Sequence, residues 1–223
     1  MASKMTLGDE PLRVVSGVSI PQSPLARDAR AFADIMLPSP LKNHAKRVFV
    51  FASLSAIKSG LVVDTDLLYV ASMFINVGLD QAFKDSQLRY EIDSANAARH
   101  FLESHGAVQA STSDVWQAVA LHSTHGIVDH VSSLASLIAT GIRTDLFGEN
   151  LSALTRKSKD EILRAYPRGN RFEERYLEAL GAGLLHRPSS TFGSTGADVL
   201  DRIDPNYRRI NFCGLVLGAR WRR

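Results

Sequence analysis

A chain of 223 residues in which 45% of side chains are hydrophobic and 22% charged is long enough to bury a sizeable core and too apolar to be disordered. Its 26 basic and 23 acidic side chains leave a formal charge of +3, too small a surplus to argue for nucleic acid or an anionic membrane as a partner. The single cysteine, Cys213, excludes an internal disulfide, and the first ten residues have no apolar leader segment, so a reducing, cytoplasmic location is expected.

Residues 1–22 do not keep a helical period: Pro11, Gly17 and Pro21 interrupt them, and Val14, Val15, Val18 and Ile20 suit an extended arm packed along the domain. Ser23-Pro24 then supplies an N-cap followed by proline at the first helical position, opening a helix through Ala29, Phe32 and Met36 that Pro38 ends. Ser39-Pro40 repeats the signal for a second helix, stopped by Gly60. His44, Val48, Phe51 and Ser55 share its inner stripe.

Asp64 caps a third helix, expected to place Leu68, Ala71, Ile75 and Leu79 on one face, with Gly78 loosening its end. Further helices are expected over about 94–104, closing at His105-Gly106, over about 113–123, and over about 131–144, where Leu134, Ile138, Ile142 and Asp145 align. Shorter helices follow over about 158–166, 171–183, 195–202 and 212–218. No repeat or linker divides residues 23–223, so the fold class predicted is all-α, one helical-bundle domain preceded by its arm.

Several helix ends deliver polar side chains inward: His44, Asn76, His122 and Asp145. A lone inward histidine is ordinarily a hydrogen-bonded core residue, but four such groups together point to a mutual network, because each unpaired buried polar group costs ~1–3 kcal/mol. The other histidines, His100, His105, His130 and His186, suit capping or surface positions. Glu91 and Asp93 are expected just ahead of a helix, favouring its dipole, and Asp145 has the alternatives of capping a helix end or pairing with Arg143. The neighbours of Cys213, Phe212, Leu215 and Val216, suggest a buried thiol. The arginines at 208, 209, 220, 222 and 223 suggest a solvated edge.

Across most of the chain the residues Ser23–Arg27, Asn43-His44 with Arg47-Val48-Phe49, Leu68–Phe74, Gly78-Leu79, Glu91-Ile92-Asp93, Ala120-Leu121-His122, Gly126-Ile127, Asp145–Gly148, His186-Arg187-Pro188 and Thr191-Phe192-Gly193 occur in an order that resembles the HD-domain superfamily, in particular its cyanamide-hydratase-like branch. The resemblance implies an HD-like helical bundle. It also implies a divalent metal held by a histidine, an adjacent His-Asp pair and a later aspartate, here His44, positions 75 and 76, and Asp145. The chain departs from that pattern at the pair itself, which is Ile75-Asn76 within Met73-Phe74-Ile75-Asn76-Val77-Gly78-Leu79. Isoleucine has no donor atom and asparagine only a neutral carbonyl, so no catalytic metal and no cofactor are expected.

The expected function is therefore metal-independent acid–base chemistry, a hydration, elimination, isomerisation or cyclisation, on a small organic molecule, nitrogen-containing by the resemblance. His44 and His122 would exchange the proton, Asp145 would orient an imidazole, and Asn76, Asn43, Phe51, Phe74, Ile75 and His125 would bind substrate. Two alternatives stand beside it: a pseudoenzyme that uses the fold as a binding or regulatory module, and a metal enzyme with a rearranged ligand set of His44, His122, Asp145 and His125. No glycine-rich phosphate loop or nucleophile elbow is present. A homodimer is compatible with everything above.

Overall fold

The computed structural model describes residues 14–221, and the first thirteen residues of the expected arm lie outside them. Its described part is a tight hairpin, β1 (Val14–Val15) against β2 (Val18–Ser19), whose Ser16-Gly17 loop has positive φ at both positions, as a two-residue hairpin requires. Val15, Val18 and Ile20 turn inward and join the core. Ten α-helices and five short 3-10 turns make up the rest of the ordered architecture among the described residues, so the fold is all-α. None is long and apolar enough to cross a membrane.

Helix α1 (Pro24–Met36) starts where Ser23 Oγ accepts the amide of Ala26, and α2 (Ser39–Ser59) ends at Gly60 in the left-handed conformation. Asp64 caps α3 (Thr65–Phe74) by accepting the amides of Asp66 and Leu67. Beyond Phe74 the expected helix does not continue. Ile75 is its C-cap, Asn76 leaves the helical region, and Val77–Leu79 form a 3-10 turn, so Ile75 and Leu79 do not prolong the face of Leu68 and Ala71.

The cause lies in tertiary packing at Gly78. A Cβ there would sit 2.2 Å from the carbonyl oxygen of Tyr90 and 2.8 Å from Asp93 Cβ. The glycine therefore does not loosen a helix end; it allows α4 (Tyr90–Ser104) to lie against the turn. Ser94 Oγ accepts the Gly78 amide at 2.8 Å, and the fully buried Arg187 donates to the Gly78 carbonyl, to Asp93 and, at 3.1 Å, to the Leu88 carbonyl. Glu91 and Asp93, expected ahead of this helix, are in its first turn, where their charges favour the dipole.

Helix α5 (Gln109–Leu121) begins four residues earlier than expected, without a side-chain cap, and α6 (Ser133–Phe147) runs from a Ser132 cap to Gly148. Shorter helices α7 (Arg156–Ala165), α8 (Phe172–Ala182), α9 (Thr195–Ile203) and α10 (Phe212–Gly218) complete the chain. The core is one cluster centred on α2, α3, α5 and α6. Cys213, expected to be buried, is exposed, because α10 lies outside that core.

The most extensive contact in the bundle is between α2 and α6. A Cβ on Gly141 would lie 2.5 Å from the Val48 carbonyl oxygen, so only glycine lets the two backbones meet there. His44 is one turn before Val48 and Asp145 one turn after Gly141. This antiparallel contact therefore delivers the two side chains to the same place.

Candidate active site

Four helix ends surround that place: the beginning of α2, the turn after α3, and the last residues of α5 and α6. His44 is 1% exposed and Asp145 4% exposed, and His44 Nδ1 lies 2.6 Å from Asp145 Oδ2. A carboxylate oxygen can only accept, so Nδ1 carries the hydrogen and His44 Nε2 is left with its lone pair. Nε2 has no hydrogen-bond partner among the described residues.

Asp145 is held from two further sides. Arg47, 0% exposed and three residues along α2 from His44, donates from Nε to Oδ1 at 2.7 Å and from Nη2 to Oδ2 at 2.9 Å. Its Nη1 donates to the Tyr166 carbonyl at 3.0 Å. Arg168 reaches Oδ1 at 3.2 Å, also donates to the Asp145 carbonyl, and lies over the Phe172 ring, its guanidinium carbon 4.0 Å from the centroid. Arg143 does not join this group. It pairs with Asp129 and Glu149, since residues two apart leave a helix on different sides.

Burial alone would raise the Asp145 carboxyl, but the hydrogen bonds from His44 and Arg47 outweigh it and hold the group well below the usual carboxylate range. Burial lowers the His44 imidazole, and the opposing pull of Asp145 does not restore it. At neutral pH the pair is a neutral imidazole bonded to a carboxylate.

Asn76 is 1% exposed, and neither its amide nitrogen nor its amide oxygen has a hydrogen-bond partner among the described residues. It lies beside the Tyr176 hydroxyl, whose ionisation it favours slightly while burial raises it strongly. No atom of the amide reaches hydrogen-bonding geometry with that hydroxyl, so the contact is electrostatic. The Tyr176 ring meets His44 edge-on with centroids 5.0 Å apart. Among these neighbours the two amide atoms of Asn76 are the buried polar atoms with no protein partner.

His122 caps the end of α5 and is placed differently. Its Nδ1 donates to the Val119 carbonyl at 2.7 Å, so Nε2 accepts from the Tyr90 hydroxyl at 3.2 Å. Burial lowers its pKa, with Glu91 opposing. Glu91 is itself anchored by Arg89 at 2.8 Å and by Ser123 at 2.5 Å. His122 shares the electrostatic field of His44 without a hydrogen bond to it.

The other expected substrate contacts are dispersed. Asn43 donates to the Pro167 carbonyl at 3.0 Å and rims a cleft of about 700 Å³ between the hairpin, α1, α2, α3 and α7. Phe51 lines a separate groove of about 220 Å³ with Leu54, Thr140 and Thr144. Phe74 stacks on Phe32 with centroids 5.0 Å apart, which makes it part of the aromatic core. Ile75 is fully buried, whereas His125 is exposed beside Phe147. Sequence reasoning passed over Arg47, Arg168, Tyr90 and Tyr176. Only Arg47 had a local signal, its position one helical turn from His44.

No protein-family model and no curated protein matches this chain.

A transition metal of the kind the HD resemblance implies does not fit these side chains. Both oxygens of Asp145 are occupied by guanidinium and imidazole hydrogens, two arginine cations flank it, Ile75 has no donor, and Asn76 is neutral. Among the described residues no three His, Cys, Asp or Glu side chains converge on a common point, and the alternative set with His125 does not assemble.

The buried histidines set the acid limb of stability. Their folded pKa values are lowered from about 6.5, so below that pH the unfolded chain binds up to two protons that the native state refuses. Stability is therefore expected to fall as pH drops from 7 towards 5, by up to about 2.7 kcal/mol per pH unit. The depressed Asp145 extends the loss below about pH 4. The exposed His105, raised by its bond to the Phe101 carbonyl and by Asp28, acts in the opposite direction but is screened by solvent. Urea midpoints across this range test the slope, and His44→Gln should flatten it.

Proposed function

We propose that this chain is an HD-like helical enzyme that works without a metal, moving a proton on a small organic molecule at His44. One observation above all supports the reading: the buried amide of Asn76 has no protein partner and belongs to the same cluster as Tyr176 and as His44, whose hydrogen bond to Asp145 uses Nδ1 and leaves Nε2 with its lone pair. Buried polar atoms left in this state cost ~1–3 kcal/mol each. A small polar guest would satisfy them.

In such a reaction His44 Nε2 accepts a proton from substrate or from an attacking water, and Asp145 stabilises the imidazolium that forms. Arg47 and Arg168 keep Asp145 anionic throughout. The Asn76 amide donates to oxygen on which charge develops, and Tyr176, its phenol raised by burial, stays protonated as a donor. His44 then returns the proton to another atom of the product. General acid–base transfer of this kind contributes about 10²–10⁴ in rate.

A panel of small nitriles, imines and amides, incubated with chelator-treated, tag-free protein and followed by NMR, tests the proposal. His44→Gln is expected to lower turnover by about 10²–10⁴. Turnover unchanged in that variant, or abolished by chelation and restored by iron, manganese or zinc, removes it.

A second reading, a pseudoenzyme used as a binding module, is favoured by the closure of the site: neither described cleft is lined by His44, Asn76 or His122. A high-resolution crystal structure separates the two. Water or an organic molecule bridging His44, Asn76 and Tyr176 supports the enzyme, and close-packed side chains with no room for a guest support the module.

A further inference from the structure

Helix α10, Phe-Cys-Gly-Leu-Val-Leu-Gly, has no buried residue and contributes nothing to the core. Every residue from Arg208 to Trp221 is exposed, including Phe212 at 68%, Leu217 at 87% and Trp221 at 88%. Isolated exposed apolar side chains are ordinary, but a contiguous run of Ile210, Phe212, Leu215, Val216, Leu217 and Trp221 is not. The flanks are equally one-sided. Between residues 205 and 223 there are five arginines, at 208, 209, 220, 222 and 223, and no acidic side chain, a concentration that the whole-chain charge of +3 conceals.

We propose that this segment is an interfacial anchor for an anionic lipid surface. Phe212, Leu215, Val216 and Leu217 spread over more than half of the helix circumference, and the remainder is occupied by Gly214 and Gly218, so the helix itself carries no charged side chain and the charge lies in its flanks. A second copy docked through the same surface would set arginines against arginines, because a two-fold contact pairs a patch with itself.

An apolar medium bordered by negative charge covers this helix without that conflict. At seven residues, roughly 10 Å, it is far too short to span a bilayer core of about 30 Å, so it lies in the interface. Arg208 and Arg220, one on each side of the helix, then reach phosphate and carboxylate headgroups while Arg209 pairs with Asp198 at 2.6 Å, and Trp221 takes the boundary position that tryptophan favours.

The chain's only cysteine lies within the segment and is exposed, which makes it a site for an environment-sensitive fluorophore on the full-length protein. With phosphatidylcholine vesicles containing about 30% phosphatidylserine, a blue shift and a several-fold rise in emission at Cys213 are expected, with no change on pure phosphatidylcholine. Raising salt to about 0.5 M should reduce the bound fraction about tenfold, as should Arg208→Glu with Arg220→Glu. Leu215→Asp with Leu217→Asp, exposed positions that leave the fold intact by circular dichroism, should abolish the shift. The proposal is overturned by an unchanged spectrum on anionic vesicles or by equal binding to neutral ones. A shift that grows with protein concentration in the absence of lipid also overturns it, and identifies a second copy as the cover.

Discussion

Replacing Arg47 with methionine is expected to lower the free energy of unfolding by about 3–5 kcal/mol, the usual consequence of leaving one member of a buried ion pair unanswered. Arg47 is 0% exposed and makes two bonds to Asp145 and others to the Tyr166 and Pro167 carbonyls, so methionine keeps much of the volume and none of these donors. Asp145 would then be a buried anion supported by His44 and the more exposed Arg168 alone. Urea denaturation followed by circular dichroism measures the loss. The double variant Arg47→Met with Asp145→Leu should recover a large part of it, because the cost lies chiefly in the stranded charge rather than in the missing pair. If the double variant is no better than the single, the deficit is one of packing.

The second large effect is expected at a residue with no functional group. Gly141→Ala would put a methyl 2.5 Å from the Val48 carbonyl oxygen and 3.1 Å from its Cγ1, where backbone rather than a flexible side chain must give way. Overpacking of this kind costs about 1–3 kcal/mol. Its more telling consequence is positional. Pushing α6 off α2 carries Asp145 away from His44, and a shift of about half an ångström already turns the short 2.6 Å contact into an ordinary hydrogen bond, while about 1 Å breaks it. The Nδ1 proton of His44 should lose its far-downfield NMR position, and any turnover should fall with it although no polar atom has been removed. Retention of that resonance in a folded Gly141→Ala protein would show that α2 and α6 are less tightly coupled than their packing indicates.

Both expectations identify the interface of α2 and α6 as the structural basis of the site. The His44 and Asp145 side chains come together because Val48 and Gly141 do, one turn away on each helix. The imidazole is neutral because burial outweighs the carboxylate beside it, and the carboxylate stays anionic because two arginines and a histidine face it. A proton acceptor is thereby fixed in one tautomer, with Nδ1 engaged by Asp145 and Nε2 carrying the lone pair.

Much of this architecture was legible in the residues themselves. Ser23-Pro24, Asp64 and Gly60 mark helix boundaries through bonds made within a turn or two of themselves, and that locality is why they act alike in a sequence and in a fold. The inward direction of His44 followed from the same helical period that buries Val48. The absence of donor atoms at Ile75 and of charge at Asn76 is a covalent fact, independent of any fold.

What only the tertiary structure decided concerns contacts between distant segments. Helix α3 stops at Phe74 because α4 and Arg187 occupy the space around Gly78, a constraint that arises more than ten residues away. Asp145 pairs with Arg47 and Arg168 rather than with Arg143, since a helix turns neighbours two apart to different sides. Tyr176 and Tyr90 join the polar cluster from helices whose sequences show nothing unusual at those positions. Cys213 is exposed because the core closes without α10, although its apolar neighbours promised burial. Local bonding and side-chain chemistry are thus fixed by sequence, whereas partners are assigned by which surfaces the packed helices leave free.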